Sequence, residues 1–200
     1  MDMTRTALLL CDMQNGFMHP AGAYGRGGAT APSMPDIVPR VRSVAEAMRA
    51  AGGWVVSTHF TLIAGRNGEP MISPHLKRLR PFLGGRDFAP GSFDSLLIEE
   101  LRPADLSVEK VAFSAFYMSR LEWILRKSGI ETIYFAGVVT NGGVASTLRD
   151  AHVRDFHCIL LEDGCAAFKQ EIHDAAVRDM SSIAEVVTCA VAAARIHLGA

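Results

Sequence analysis

The chain alternates short apolar runs with stretches in which apolar residues recur every three to four positions. Residues 6–11 (TALLLC) are apolar throughout and are closed by Asp12, which predicts a buried strand too short to be a helix. Residues 37–51 place Ile37, Val41, Val44, Ala45 and Met48 at helical spacing, with Gly52-Gly53 as the stop. WVVS at 54–57 predicts the second strand. From 59 to 94 the pattern dissolves into Gly, Pro, Arg and Asn, with one short helical stretch at 74–79. A loop of that length inside one domain is usually functional. Beyond it the pattern predicts a short helix at 93–101, a strand at 107–110, a helix at 118–128 and a strand at 132–136. A helix at 142–153, a strand at 156–161, a helix at 171–180, a strand at 184–188 and a helix at 190–197 complete the chain. Strands alternating with helices imply parallel pairing through right-handed crossovers, and continuously apolar strands imply a sheet covered on both faces. The predicted fold class is α/β, an open doubly wound parallel β-sheet flanked by helices in a three-layer sandwich. In such sheets the ligand lies outside the carboxyl ends of the strands. That places Asp12, Lys110 and the 137–143 turn at one edge.

Composition narrows the field further. With 200 residues, against a prior of about 150 per domain, the chain reads as a single domain over 1–200 with a long substrate loop at about 59–94. Lys+Arg 20 against Asp+Glu 21 leaves no basic excess to neutralise phosphates, which argues against a nucleic-acid partner. The apolar runs fall far short of the roughly 20 residues of a membrane span, and the first of them reads as a strand rather than a leader. No membrane association is expected. Four cysteines, Cys11, Cys158, Cys165 and Cys189, include no CxxC pair and read as reduced, buried thiols of a cytoplasmic protein.

Three segments carry candidate chemistry. Asp12 reads either as a turn cap or as a partly desolvated carboxylate able to carry a proton. Lys110, in VEKVAFSAF, reads either as a solvated edge lysine or as the cation that holds that carboxylate. The stretch GVVTNGGVAST runs from a strand through a glycine turn into a helix N-terminus, whose free N–H groups face the cleft. It has neither the GxGxxG spacing of a dinucleotide site nor a GxxxxGK[ST] phosphate loop. Phe17, Phe113, Phe116 and Tyr117 read as cleft wall or as core. Gln14 and Asn15 read as substrate or Asp12 partners, or as turn residues. Arg66, Arg78, Arg80 and Arg86 enrich the long loop and read as solvated charges, with one of them available to clamp a substrate carboxylate.

The order and spacing of ALLLCDMQNGF, VEKVAFSAF, GVVTNGGVASTLRDA and ILLEDGCAAF resemble the isochorismatase-like hydrolase superfamily, also called the cysteine hydrolases. The resemblance implies a Rossmann-like sandwich, in agreement with the pattern above. It maps the family's Asp onto Asp12 and its Lys onto Lys110, and it implies a cis peptide at Val138–Val139. The family's usual nucleophilic Cys falls on Gly143, where the side chain is absent. The resemblance therefore closes the thioester route of the amidohydrolase branch. It points instead to the isochorismatases, which carry Gly there and hydrolyse a vinyl ether by general acid catalysis without a covalent intermediate. Thr140-Asn141 is closer to the amidohydrolase branch, so an amide or ureido hydrolase that lost its Cys, or a non-catalytic binding relative, stays as an alternative. Expected substrate contacts are Gln14, Phe17, His59, Phe116, Val139, Thr140, Asn141 and Gly142, with backbone amides around Val139, Gly142 and Gly143 holding an oxygen. Cys165 near the cleft is a weaker nucleophile candidate, and Cys11 is expected to point away from Asp12. No cofactor and no metal are expected. The expected partners are a small polar or anionic substrate and further copies of the chain, as a homodimer or homotetramer.

Overall fold

Side-chain parity along the central strands decides how the layers stack. In a computed structural model that describes residues 1–199, Thr6–Cys11 (β1) sends Leu8 and Leu10 to one face of the sheet and Ala7, Leu9 and Cys11 to the other. All six residues are buried, as expected for an interior strand covered on both sides. The strands are β1, Trp54–Phe60 (β2), Leu106–Lys110 (β3), Thr132–Val138 (β4), His157–Ala166 (β5) and Glu185–Val187 (β6). They form one parallel sheet in the order β3-β2-β1-β4-β5-β6. The predicted α/β doubly wound class is the observed one.

The helices are Asn15–Met18 (α1), Ala23–Arg26 (α2), Met34–Ala50 (α3), Pro74–Leu79 (α4), Leu121–Lys127 (α5), Ala145–His152 (α6), Gln170–Met180 (α7) and Cys189–Leu198 (α8). Leu8, Leu10, Tyr134 and Ala136 pack with Val41, Val44 and Met48 of α3 and Ala192 and Ile196 of α8. Leu9, Ile133 and Phe135 pack on the other side with Leu121, Leu125 and Leu148 of α5 and α6. No helix among the described residues is long and apolar enough to cross a membrane.

Three departures from the predicted elements have local causes. The predicted 93–101 helix is two 3-10 turns, Phe93–Ser95 and Glu99–Leu101, with an extended step between them. Backbone bonds from Asn15 N–H to Leu96 O (2.9 Å) and from Ile98 N–H to Met13 O (3.0 Å) hold that step along the chain leaving β1. Long-range pairing thus wins over a weak local helix preference. The predicted 118–128 helix starts only at Leu121, because Met118 sits at φ +48° and the Ser119 hydroxyl accepts from Leu121 N–H at 3.1 Å. The predicted 142–153 helix begins as a single π-helical turn, Thr140–Val144, before α6 proper. β2 and β5 run past their predicted ends to Phe60 and Ala166, and α1 and α2 were not predicted at all.

Strand order reverses between β1 and β4, so the crevice lies outside their carboxyl ends. Cys11 pairs in register with Thr58 on one side and Gly137 on the other. The residue that leaves the sheet next is Asp12.

Candidate active site

Asp12 ends β1 in the left-handed region at φ +54°, which turns its side chain out of the strand and into the crevice. Its N–H donates to Thr58 O at 3.2 Å, and its carbonyl accepts from Gln14 N–H at 2.8 Å. The carboxyl is 6% exposed. It meets Lys110 Nζ at 2.7 Å through Oδ2 and accepts the Thr58 hydroxyl at 3.1 Å through Oδ1. Burial pushes the Asp12 carboxyl above the ordinary carboxylate value. Lys110 and the Thr58 O–H oppose that shift without cancelling it.

Lys110, the last residue of β3, lies against the Phe60 ring at 5.8 Å. An ammonium has three N–H donors, and here all three are engaged. One goes to Asp12, one to Ala112 O at 2.9 Å and one to Phe113 O at 3.0 Å. Lys110 is therefore a fixed cation that orients Asp12.

The third segment follows β4. The Val138–Val139 peptide is cis, as the resemblance implied. A methyl group built on Gly143 would lie 2.9 Å from Asp12 Oδ2 and 3.5 Å from Lys110 Nζ. Position 143 therefore looks straight onto the acid–cation pair. Its carbonyl accepts the Thr147 hydroxyl at 2.7 Å, and that oxygen accepts Ala115 N–H at 3.0 Å, which ties the turn to the segment after β3. The Gly142 N–H donates to Val139 O at 2.9 Å, so it is not free to hold a substrate oxygen as expected.

A cavity of about 770 Å³ opens over this centre. Asp12, Lys110, Val139, Asn141, Gly142 and Gly143 line its polar end. Phe17 lies on its wall with Tyr24, Phe60 and Phe168, and Phe113 lies at its exposed edge.

Several expected contacts are elsewhere. Phe116 is in the core under α5, its ring centroid 6.0 Å from that of Phe156, because Ala115–Phe116 turn inward there. Gln14 is fully buried as a brace. Its carbonyl accepts Phe60 N–H at 2.7 Å, and its amide donates to Phe60 O at 2.9 Å and Ser95 O at 3.1 Å. Asn15 donates to Phe93 O at 3.1 Å. Thr140 is buried against His173 Nδ1 at 2.8 Å.

His59 faces a second cavity of about 700 Å³ beside β3. Its ring nitrogens meet Ser57 Oγ at 2.7 Å and Ser95 O at 2.7 Å. Tyr117 is exposed outside the first cavity. Cys11 points away from Asp12, and Cys165 is buried with its thiol near Phe135 O. Burial pushes both thiols up, so neither is a poised thiolate.

Sequence reasoning missed Thr58, Tyr24, Phe60 and Phe168. Only the β1–β2 register reveals Thr58, because it stands opposite Cys11.

The isochorismatase domain matches residues 6–191. The chain belongs to the isochorismatase family of hydrolases. A cysteine hydrolase from Pseudomonas syringae pv. phaseolicola 1448A is 27% identical, with TM-score 0.85, over 100% of this chain and 96% of that one. N-carbamoylsarcosine amidase from Thermoplasma acidophilum is 29% identical, with TM-score 0.72, over 92% and 96%. Pyrazinamidase of Pyrococcus horikoshii in complex with zinc is 27% identical, with TM-score 0.75, over 92% and 99%. The residues of this isochorismatase-family chain do not fit a zinc site. No three His, Cys, Asp or Glu side chains converge among the described residues, and both His59 nitrogens have protein partners.

Proposed function

We propose that this chain hydrolyses a small enol-ether carboxylate without a covalent intermediate, with Asp12 as the proton donor. The observation that carries the reading is position 143. It faces Asp12 and Lys110 at side-chain distance and is a glycine, so it supplies no nucleophile. None of the four cysteines lines the cavity.

A carboxyl held above its ordinary value by burial keeps its proton further toward neutral pH and can give it up to carbon. Asp12 protonates the vinyl CH₂ carbon, and the ether carbon becomes an oxocarbenium ion. Water adds to that carbon and returns a proton to Asp12. The resulting hemiketal collapses to the alcohol and a keto acid.

Turnover in D₂O tests this reading. Pyruvate released from an enolpyruvyl ether such as isochorismate is expected to carry one deuterium in its methyl group at early times, read by mass spectrometry. Failure of every enol ether to release a keto acid would overturn the proposal.

A second reading has its own support. The likeness to N-carbamoylsarcosine amidase and the Thr140-Asn141 turn favour an amide or ureido hydrolase that uses water in place of a thiol. Ammonia release from an amide panel, with no keto acid from enol ethers, would select it.

A further inference from the structure

We infer that the cavity binds a carboxylate with an apolar body and that Arg80 receives the carboxylate. The inference rests on the reading above only for which end of the ligand reacts. It begins with charge. Asp12 is the one acidic residue lining the cavity, against the cations Lys110 and Arg80. Lys110 faces Asp12 and has spent all three of its donors. Arg80 is left as uncompensated positive charge.

Arg80 has no acidic side chain in ion-pair range among the described residues. Of its five N–H donors, Nη1 donates to Leu79 O at 2.9 Å, while the buried Nε has no partner. A buried charged donor without an acceptor is costly, and a ligand oxygen would relieve it. The guanidinium is held over the Phe168 ring at 4.7 Å and the Tyr24 ring at 5.7 Å. Those two rings stack 9° from parallel with centroids 5.6 Å apart. Stacking fixes the plane of the guanidinium, Nη1 is taken by Leu79 O and the Tyr24 hydroxyl lies against the same group, so the remaining donors are what a carboxylate oxygen would meet. Arg66, Arg78 and Arg86 do not line the cavity, so the structure selects one of the four loop arginines.

The walls set the rest of the ligand. Phe17, Phe60, Leu62, Leu83, Phe113 and Phe168 offer no hydrogen-bonding atoms. A hydroxyl set against those side chains would find no partner, and the polar side chains Thr61, Ser73 and Asn141 that share the lining are few beside them, so an apolar body is favoured. The volume of about 770 Å³ lies in the range of sites that enclose drug-sized molecules. Within the small polar or anionic class that the sequence suggested, the cavity therefore favours an anion with an apolar body.

Calorimetric titration of the intact chain with 4-phenylbutanoate, 4-phenylbutanamide and acetate tests this directly. The acid is expected to bind at least tenfold tighter than either the neutral amide or acetate. Arg80→Met is expected to lose at least tenfold in affinity for the acid and little for the amide, while Arg80→Lys keeps part of the preference. Equal affinity for acid and amide, an unchanged Arg80→Met, or no binding of the acid to the wild-type chain would each overturn the inference. Should Arg80→Met fail to fold, the acid-to-amide ratio in the wild type and in Arg80→Lys decides. Binding is read without turnover. Arg80-dependent binding with no keto acid from any enol ether therefore rejects only the proposed reaction, and the converse result rejects only the role of Arg80.

Discussion

Replacing Asp12 with Asn is expected to lower turnover of the true substrate by roughly 10²- to 10⁴-fold, the usual worth of a positioned general acid. The substitution keeps size and packing. An asparagine amide can place its oxygen on Lys110 Nζ and its NH₂ on the Thr58 hydroxyl, the two partners the carboxyl has now at 2.7 and 3.1 Å. What it cannot do is give a proton to carbon. Circular dichroism and binding of 4-phenylbutanoate should therefore stay close to wild type while kcat collapses. An Asp12→Asn enzyme within a few-fold of wild type would remove Asp12 from the chemistry.

The pH profile carries the same idea with a definite sign. In the proposed reaction Asp12 acts in its protonated form, and burial raises its pKa above 3.8. Activity should hold below that raised value and fall tenfold per pH unit above it, because the ionised form has no proton to give. Lys110→Met removes the cation that favours the ionised form, so in that variant the falling limb should move to higher pH. A limb that moves to lower pH would contradict the assignment of Asp12 as the acid.

The second large effect concerns stability. Gly137 in β4 has φ +128°, and a methyl group built on it would lie 2.1 Å from Cys11 O and 2.8 Å from Cys11 C. Neither neighbour is a side chain that can swing away, because both belong to the backbone of β1. Gly137→Ala must break the β1–β4 pairing at the point where Asp12 leaves the sheet. The expected cost exceeds about 4 kcal/mol, the range reserved for backbone or core disruption. A domain of ordinary stability, about 5–15 kcal/mol, would lose much of its margin. Gly28, at φ +63° with open space around its Cα, provides a control. Gly28→Ala carries only the backbone penalty of about 1–2 kcal/mol for an L-residue in that region. Denaturant unfolding of the two variants measures the difference. Equal midpoints would show that the strand contact at Gly137 relaxes freely.

Much of the architecture was readable along the chain because parallel sheets are built from local signals. An unbroken run such as 6–11 can be buried on both sides, a repeat such as Ile37, Val41, Val44 and Met48 can bury one helix face, and their alternation leaves few topologies. The errors cluster where neighbours distant in sequence intervene. The 93–101 segment has helical composition, yet it pairs with backbone at 13–15. Phe116 has the character of a cleft aromatic, but the turn after β3 sends it under α5.

The doubly wound sheet, the placement of Asp12 and Lys110 at strand ends and the absence of a nucleophile at position 143 were all legible before any contact was known. The sheet and the strand-end positions follow from residue identity and phase in short local repeats, and the empty nucleophile position follows from the family resemblance that maps the usual Cys onto Gly143. What those residues do to one another depends on the folded chain. Cys11 must stand opposite Thr58 and Gly137 before Asp12 can turn into the crevice and take the Thr58 hydroxyl. The chain after β3 must fold back before its carbonyls can saturate Lys110. Tyr24 and Phe168 lie 144 positions apart, and only the folded chain stacks them beside Arg80. Strand register and the paths of loops set these meetings. Both are settled by packing and backbone pairing across the whole chain, which no local pattern encodes.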